Sequence, residues 1–167
     1  MDFSHPTVTQ ALFLLPVLLP IALWVTWSDL KFMKIPNTAV LATFAAWVVL
    51  GWPAVGMEGW LWGFAILGIT LVCTFIGNLA GLFGAGDAKF AAAIAPVFVF
   101  GDWMLILTLY VVCSIAALLA HRVMRSIPAV RQATPDWKSW TSNKFPFGMA
   151  LSAMVVFYLL AAFLPKG

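Results

Sequence analysis

Charged residues are confined to short separators between long apolar runs, and this pattern constrains the fold more than any other feature of the chain. Six apolar segments can be drawn, at 10–28, 37–52, 58–82, 88–101, 103–121 and 146–164. With 63% hydrophobic and 9% charged residues, the chain is far more apolar than a water-soluble domain. The sequence therefore predicts an all-α polytopic membrane protein with about six transmembrane helices, forming a single membrane-embedded domain over residues 1–167.

The basic residues predict which ends of these helices face the cytoplasm. If all six segments cross, the separators after the first, third and fifth segments share one side of the membrane. All Lys and Arg residues except Lys166 lie there: Lys31, Lys34, Lys89, Arg122, Arg125, Arg131, Lys138 and Lys144. The opposite side has Asp2, Glu58 and Asp102. By the positive-inside rule the basic side is cytoplasmic, so both termini face out.

Two aspartates, Asp29 and Asp87, then lie at the cytoplasmic ends of their segments. Asp87 ends the glycine-rich stretch Gly84-Ala85-Gly86-Asp87. Ionisable groups are costly at membrane depth, so two of them at one face indicate a functional site. Two carboxyl groups that share one proton can activate water and donate to a carbonyl oxygen, which is the chemistry of an aspartic peptidase. The glycines would let the turn adopt unusual backbone angles and let a substrate strand approach Asp87.

Each aspartate also has an ordinary explanation. Asp29 can mark a helix end and pair with Lys31 or Lys34, and Asp87 can cap the helix that begins at Ala88. The segment after Asp87 spans only ~21 Å as a helix, against ~30 Å for the hydrocarbon core. Either the bilayer thins there, or Asp87 lies below the surface in a water-lined cavity. The segment at 37–52 is also short, so the full crossing of both segments is left open.

Other motifs in the chain predict little chemistry. Cys73 and Cys113 fall inside apolar segments, and no partner for His121 is visible, so we predict no metal site and no cofactor. The basic stretch 122–145 is expected to touch anionic headgroups or to dock an acidic part of the substrate. Glycine pairs such as Gly59 and Gly63 predict close helix packing, and a homo-oligomer is compatible with them. We expect no nucleic-acid partner.

At these residues the chain resembles the type IV prepilin peptidases, a family of membrane-embedded GxGD aspartic peptidases. The first matching stretch runs from Asp29 to Lys34, Ile35, Pro36 and Asn37, the second from Gly84 and Gly86 to Asp87 and Lys89, and the third comprises Pro146, Phe147 and Gly148. The resemblance implies that Asp29 and Asp87 are the catalytic pair. It also implies that other residues of the matching stretches shape the site or bind substrate: Gly84, Gly86, Lys89, Lys34, Pro36, Asn37, Pro146 and Gly148.

The resemblance also implies a substrate and a location. Such enzymes remove the short basic leader from prepilins and pseudopilins at the cytoplasmic face of the bacterial inner membrane. The chain lacks the N-terminal methyltransferase portion of larger members and its cysteine pairs, so we expect cleavage without N-methylation. Its compact form resembles the peptidases of tight-adherence, or Flp-type, pilus systems. The expected partners are prepilin substrates and the lipid bilayer.

Other functions remain open on sequence alone. A presenilin-like intramembrane protease also uses GxGD, but Ser28 rather than tyrosine precedes Asp29, and the last segment has no Pro-Ala-Leu motif. A proton-coupled transporter or channel subunit would use the two aspartates as a relay and would predict ion flux without cleavage. A non-catalytic membrane scaffold would leave the motifs unexplained.

Overall fold

The computed structural model describes residues 5–82 and 84–164, and its regular elements are helices. Asp2 and Lys166, which contribute to the predicted orientation, lie outside these residues. Six α-helices follow in chain order: α1 (Val8–Phe32), α2 (Asn37–Leu79), α3 (Ala85–Ile94), α4 (Trp103–Ser126), α5 (Pro128–Ala133) and α6 (Phe147–Leu160). Short 3-10 helices occur at Ala95–Phe98, Lys138–Trp140 and Ala161–Phe163. The prediction of an all-α fold is confirmed.

Three helices, α1, α2 and α4, are long and apolar enough to cross a membrane. Their outward faces carry large exposed aliphatic and aromatic side chains, for example Leu23, Ile69 and Leu119 at 64%, 64% and 57% exposure. Such faces are unfavourable in water and are typical of contact with lipid. The helical run from α6 through Phe163 is apolar but shorter. The number of crossings and their orientation remain predictions.

Helix α2 is folded back on itself and supplies two of the predicted segments. Gly56 interrupts it with φ 77° and ψ 170°, a backbone conformation that favours glycine. Along one straight helix, Phe44 and Phe64 would lie ~30 Å apart, yet their ring centroids are separated by 6.3 Å. Gly63 faces the buried ring of Trp47, where a Cβ atom would overlap the indole. The expected separator at 53–57 is therefore helical except at Gly56, and the two halves pack as a hairpin.

The short fourth segment runs through the centre of the bundle. Most residues from Ala88 to Val97 are buried, and they pack mainly against α2 and α6. The buried Gln10 side chain of α1 donates a hydrogen bond to the carbonyl of Val97 at 2.7 Å. The helix changes to a 3-10 helix at Ala95 and ends before Phe100, whose φ is 58°. Protein therefore surrounds this irregular backbone, as a membrane location requires.

Helix α4 extends beyond the predicted segment end at residue 121. It continues to Ser126, so Arg122 and Arg125 lie on its last turns rather than in a loop. Arginine is a good helix former, and a positive charge near a helix C-terminus is favourable. The rest of the expected loop contains α5 and the 3-10 helix Lys138–Trp140, which contacts α1. This polar stretch is therefore folded against the bundle.

Candidate active site

Asp29 lies in the last turn of α1 and is buried, with 4% of its surface exposed. The helix ends at Met33 in a left-handed conformation with φ 55°, and the Met33 N–H donates to the Asp29 carbonyl at 2.8 Å. The Ser28 hydroxyl donates to the Lys34 carbonyl at 2.9 Å. These bonds fix the sharp turn from α1 towards α2, which begins after its N-cap Pro36.

The carboxylate of Asp29 is held by the start of α6. The Gly148 N–H donates to Asp29 Oδ2 at 2.8 Å in a buried hydrogen bond. Gly148 is the second residue after the buried N-cap Pro146, so its N–H is one of the donors that a first helical turn leaves without a helical partner. A Cβ atom at position 148 would lie 2.9 Å from Asp29 Oδ2. Glycine therefore permits the close approach that makes this bond.

Asp87 lies in the first turn of α3, before the apolar run that follows it. The N-cap of α3 is Gly84, so the alternative in which Asp87 itself caps the helix is excluded. Instead its carboxylate is hydrogen bonded to the backbone of Gly84, as in a capping box, where a side chain reaches back to the cap N–H. Burial raises the pKa of Asp87 above its ordinary value, and the Gly84 bond partly opposes this shift.

Ile35 lies between the elements that carry the two aspartates. A Cβ atom at Gly86 would lie 3.4 Å from Ile35 Cβ and 3.5 Å from its backbone nitrogen, so the first turn of α3 rests against this residue. A Cβ atom at Gly148 would lie 2.9 Å from Ile35 Cδ1. The sequence motif includes Ile35, but the motif alone indicates no role for this residue. The available sequence signal is a branched aliphatic residue between Lys34 and Pro36 in a short connection; in the structure this residue is 8% exposed.

Both aspartates line one cavity of about 250 Å³, and their charges interact. This volume is enough for several water molecules. Most of the predicted site residues line it with them: Lys34, Asn37, Gly84, Gly86 and Lys89. Met33, Ile35 and Ala85 complete the lining. At the rim, the Lys89 ammonium group donates to Asn37 Oδ1 at 3.3 Å and links the starts of α3 and α2.

Three predicted site residues do not line the cavity. Pro36 and Pro146 start α2 and α6, and Gly148 supports Asp29 from behind. Lys31, a suggested ion-pair partner of Asp29, has its ammonium group 5.2 Å from the centre of the Trp27 ring. The arrangement presents two carboxyl groups to one cavity that can hold several water molecules. Over the part of the chain that the structure describes, no three His, Cys, Asp or Glu side chains form a cluster that could hold a metal ion.

Comparison with known proteins gives one match. The model of the type IV leader peptidase family matches residues 16–120, which is more than half of the chain. The matched range contains Asp29, the connection to α2 and the Gly84–Asp87 turn, and it ends before Pro146. No curated protein and no solved structure matches the chain.

Proposed function

Because the chain belongs to the type IV leader peptidase family, we propose that it is a membrane aspartic endopeptidase that removes the N-terminal leader from Flp-type prepilins or pseudopilins. Family membership indicates a peptidase of the membrane. The observation that carries the finer proposal is the cavity that holds both Asp29 and Asp87. We assign cleavage to this cavity, at the cytoplasmic face of a bacterial inner membrane, without N-methylation of the product.

In the proposed mechanism one carboxyl group is ionised and the other is protonated. The ionised group takes a proton from a water molecule as the water oxygen bonds to the scissile carbonyl carbon, and the protonated group donates to the carbonyl oxygen. The tetrahedral intermediate then collapses: the C–N bond breaks, the leaving nitrogen takes from the first carboxyl group the proton that came from water, and a hydroxyl of the intermediate returns a proton to the second carboxylate. Repulsion between two close carboxylates separates their ionisations, so the pair can hold one proton.

Two features of the site support this assignment. The Gly148 N–H holds Asp29 Oδ2 in a fixed position, and positioning a reacting group lowers the barrier of the reaction. A Cβ atom at Gly84 would lie 2.7 Å from Asp87 Oδ2, so glycine at this position leaves space for an extended peptide to come close to the carboxylate. A relay for protons needs neither an open wall nor a rigid carboxylate, so these features favour peptide hydrolysis.

The proposal is tested by co-expression of the chain with a candidate Flp-type prepilin, whose leader removal is followed as a mobility shift. Asp29→Asn and Asp87→Asn should each abolish the shift, because an amide can neither take a proton from water nor supply a carboxyl proton. Asp102→Asn is the matched control: Asp102 caps α4 by accepting from the Met104 N–H at 2.9 Å, and asparagine caps equally well. This variant should cleave normally.

The outcome that contradicts the dyad is normal leader removal by either cavity variant, with membrane insertion of each variant checked by fractionation. The mass of the mature N-terminus tests the absence of methylation, since a methylated product would show that this part of the proposal is wrong. The cytoplasmic orientation is tested by adding a membrane-impermeant reagent to intact cells. The reagent should not modify the Lys89 region.

A further inference from the structure

A second polar cavity, of about 410 Å³, lies between the end of α4 and the connection that leads into α6. Its walls bring together three basic side chains, Arg122, Arg125 and Lys144, with polar groups of Ser142 and Asn143. Among the described residues, no carboxylate lines it. The cavity is separate from the two aspartates, although both lie at the same end of the bundle.

The wall of this cavity contains a buried histidine held by aromatic contacts. His121 is 5% exposed and stacks on Trp140, with ring centroids 5.4 Å apart and an angle of 15° between the planes. Trp140 is itself fixed, since its Nε1–H donates to the Thr134 carbonyl at 2.9 Å. Within residues 5–82 and 84–164, His121 Nε2 has no hydrogen-bond partner. A buried polar atom without a partner is costly, and a bound acceptor or donor would satisfy it.

The positive charges around His121 also lack counterions among the residues that the structure describes. The charges of Arg122 and Arg125 act on the imidazole, and in the described part of the chain neither arginine is paired with a carboxylate. Several donors that converge on one space suit an anion with several acceptor oxygens, and arginine pairs especially well with phosphate. The shared chemistry of the ligand is therefore a phosphate group.

The position of the cavity decides the source of that phosphate. It lies where α4, a helix long and apolar enough to cross a membrane, ends in basic residues. On the same turns Leu119 and Val123 are each 57% exposed, so acyl chains would have an apolar surface to follow. We propose that this cavity binds the headgroup phosphate of an anionic phospholipid. The site is independent of the proposed peptidase activity, since it uses none of the residues of the aspartate cavity.

The test measures lipid binding to the full chain in detergent by native mass spectrometry. Phosphatidylglycerol should bind more tightly than phosphatidylcholine of the same acyl chains. Arg122→Gln/Arg125→Gln should weaken phosphatidylglycerol binding about 30-fold, since each basic residue at a membrane surface contributes roughly fivefold. Arg131→Gln/Lys138→Gln removes the same charge from the same region but not from the cavity wall, and it should change binding less than threefold or so.

Three results would overturn the proposal. Equal losses in the two double variants would show general surface attraction rather than a site. Displacement of the lipid by inorganic phosphate at a similar concentration would show a free-phosphate site. Unchanged lipid binding in Arg122→Gln/Arg125→Gln, together with lost cleavage of an acidic substrate, would assign the cavity to the substrate. If that variant does not fold, Lys144→Gln, at an exposed position, gives the same comparison with an expected loss of roughly fivefold.

Discussion

Gly148→Ala isolates the contact between α6 and Asp29. The added methyl group would lie 2.9 Å from Asp29 Oδ2 and 2.9 Å from Ile35 Cδ1. To reach ordinary van der Waals contact, the carboxylate oxygen must move by roughly 0.5 Å. The hydrogen bond from the Gly148 N–H is 2.8 Å long, so a shift of that size stretches it past the range of a good N–H···O bond.

The expected loss follows from the value of this bond. A hydrogen bond to a charged group contributes about 1.5–3 kcal/mol, which corresponds to roughly 10- to 150-fold in rate if the bond positions the reacting carboxylate. We expect kcat/KM for leader cleavage to fall within that range, while the protein remains folded and inserted. The assay is the initial rate of cleavage of a purified prepilin by the protein in detergent, with thermal unfolding recorded on the same sample.

Two further variants separate the possible causes. Gly68→Ala makes the same change in α2, where nothing lies within 4 Å of the added Cβ atom, and it should keep wild-type activity. In Gly148→Ala/Ile35→Val, the Cδ1 atom that meets the new methyl group is removed, but the clash with the carboxylate remains. Activity should therefore stay low. Wild-type activity in Gly148→Ala, or full recovery in the double variant, would refute the role assigned to the contact with Asp29.

The remaining predictions concern the α2 hairpin and the protonation of the aspartates. Gly63→Ala should lower the thermal unfolding midpoint in detergent, by an amount equivalent to about 1–3 kcal/mol, because its Cβ atom overlaps the Trp47 ring; an unchanged midpoint would contradict the packing of the two halves of α2. The cleavage rate should have a bell-shaped pH profile, since one carboxyl must be ionised and the other protonated. Burial raises the pKa of Asp87, so activity should persist to a higher pH than two ordinary aspartates would allow; a rate that rises steadily with pH would contradict the shared proton.

The apolar segments could be predicted because their signal is local. Each run of apolar residues is visible within its own stretch of chain, and the starts of α1, α2, α3, α4 and α6 each fall within three residues of a predicted segment start. The break at Gly56 lies within the expected separator at 53–57, but hydropathy did not show that the other residues of this separator are helical. The predicted segment end at residue 121 differs from the end of α4 at Ser126 for a related reason: Arg122 and Arg125 end an apolar run without ending a helix.

The sequence could also predict that Asp29 and Asp87 lie close together, but it could not predict the residues that surround them. Asp29 and Asp87 stand out as acids beside apolar runs, and the basic residues placed them on one side. The bond between Gly148 and Asp29 joins residues 119 positions apart, and nothing local to either residue indicates it. The same is true of His121, whose stacking on Trp140 depends on how the 122–145 stretch folds. Contacts of this kind depend on tertiary packing, which no short sequence pattern records.

Ile35 contacts the element that carries Asp87 and the element that holds Asp29, and these contacts can hold the two aspartates at a constant relative position. Its side chain and backbone meet Gly86, which precedes Asp87, while its Cδ1 atom meets Gly148, which donates to Asp29. Glycine at both positions lets two backbones approach one aliphatic side chain, whereas larger residues would hold them apart. We therefore expect a shift of α3 or α6 to reach the other element through Ile35, because packed interiors deform little. The geometry of the polar cavity thus depends on an apolar contact within its own wall.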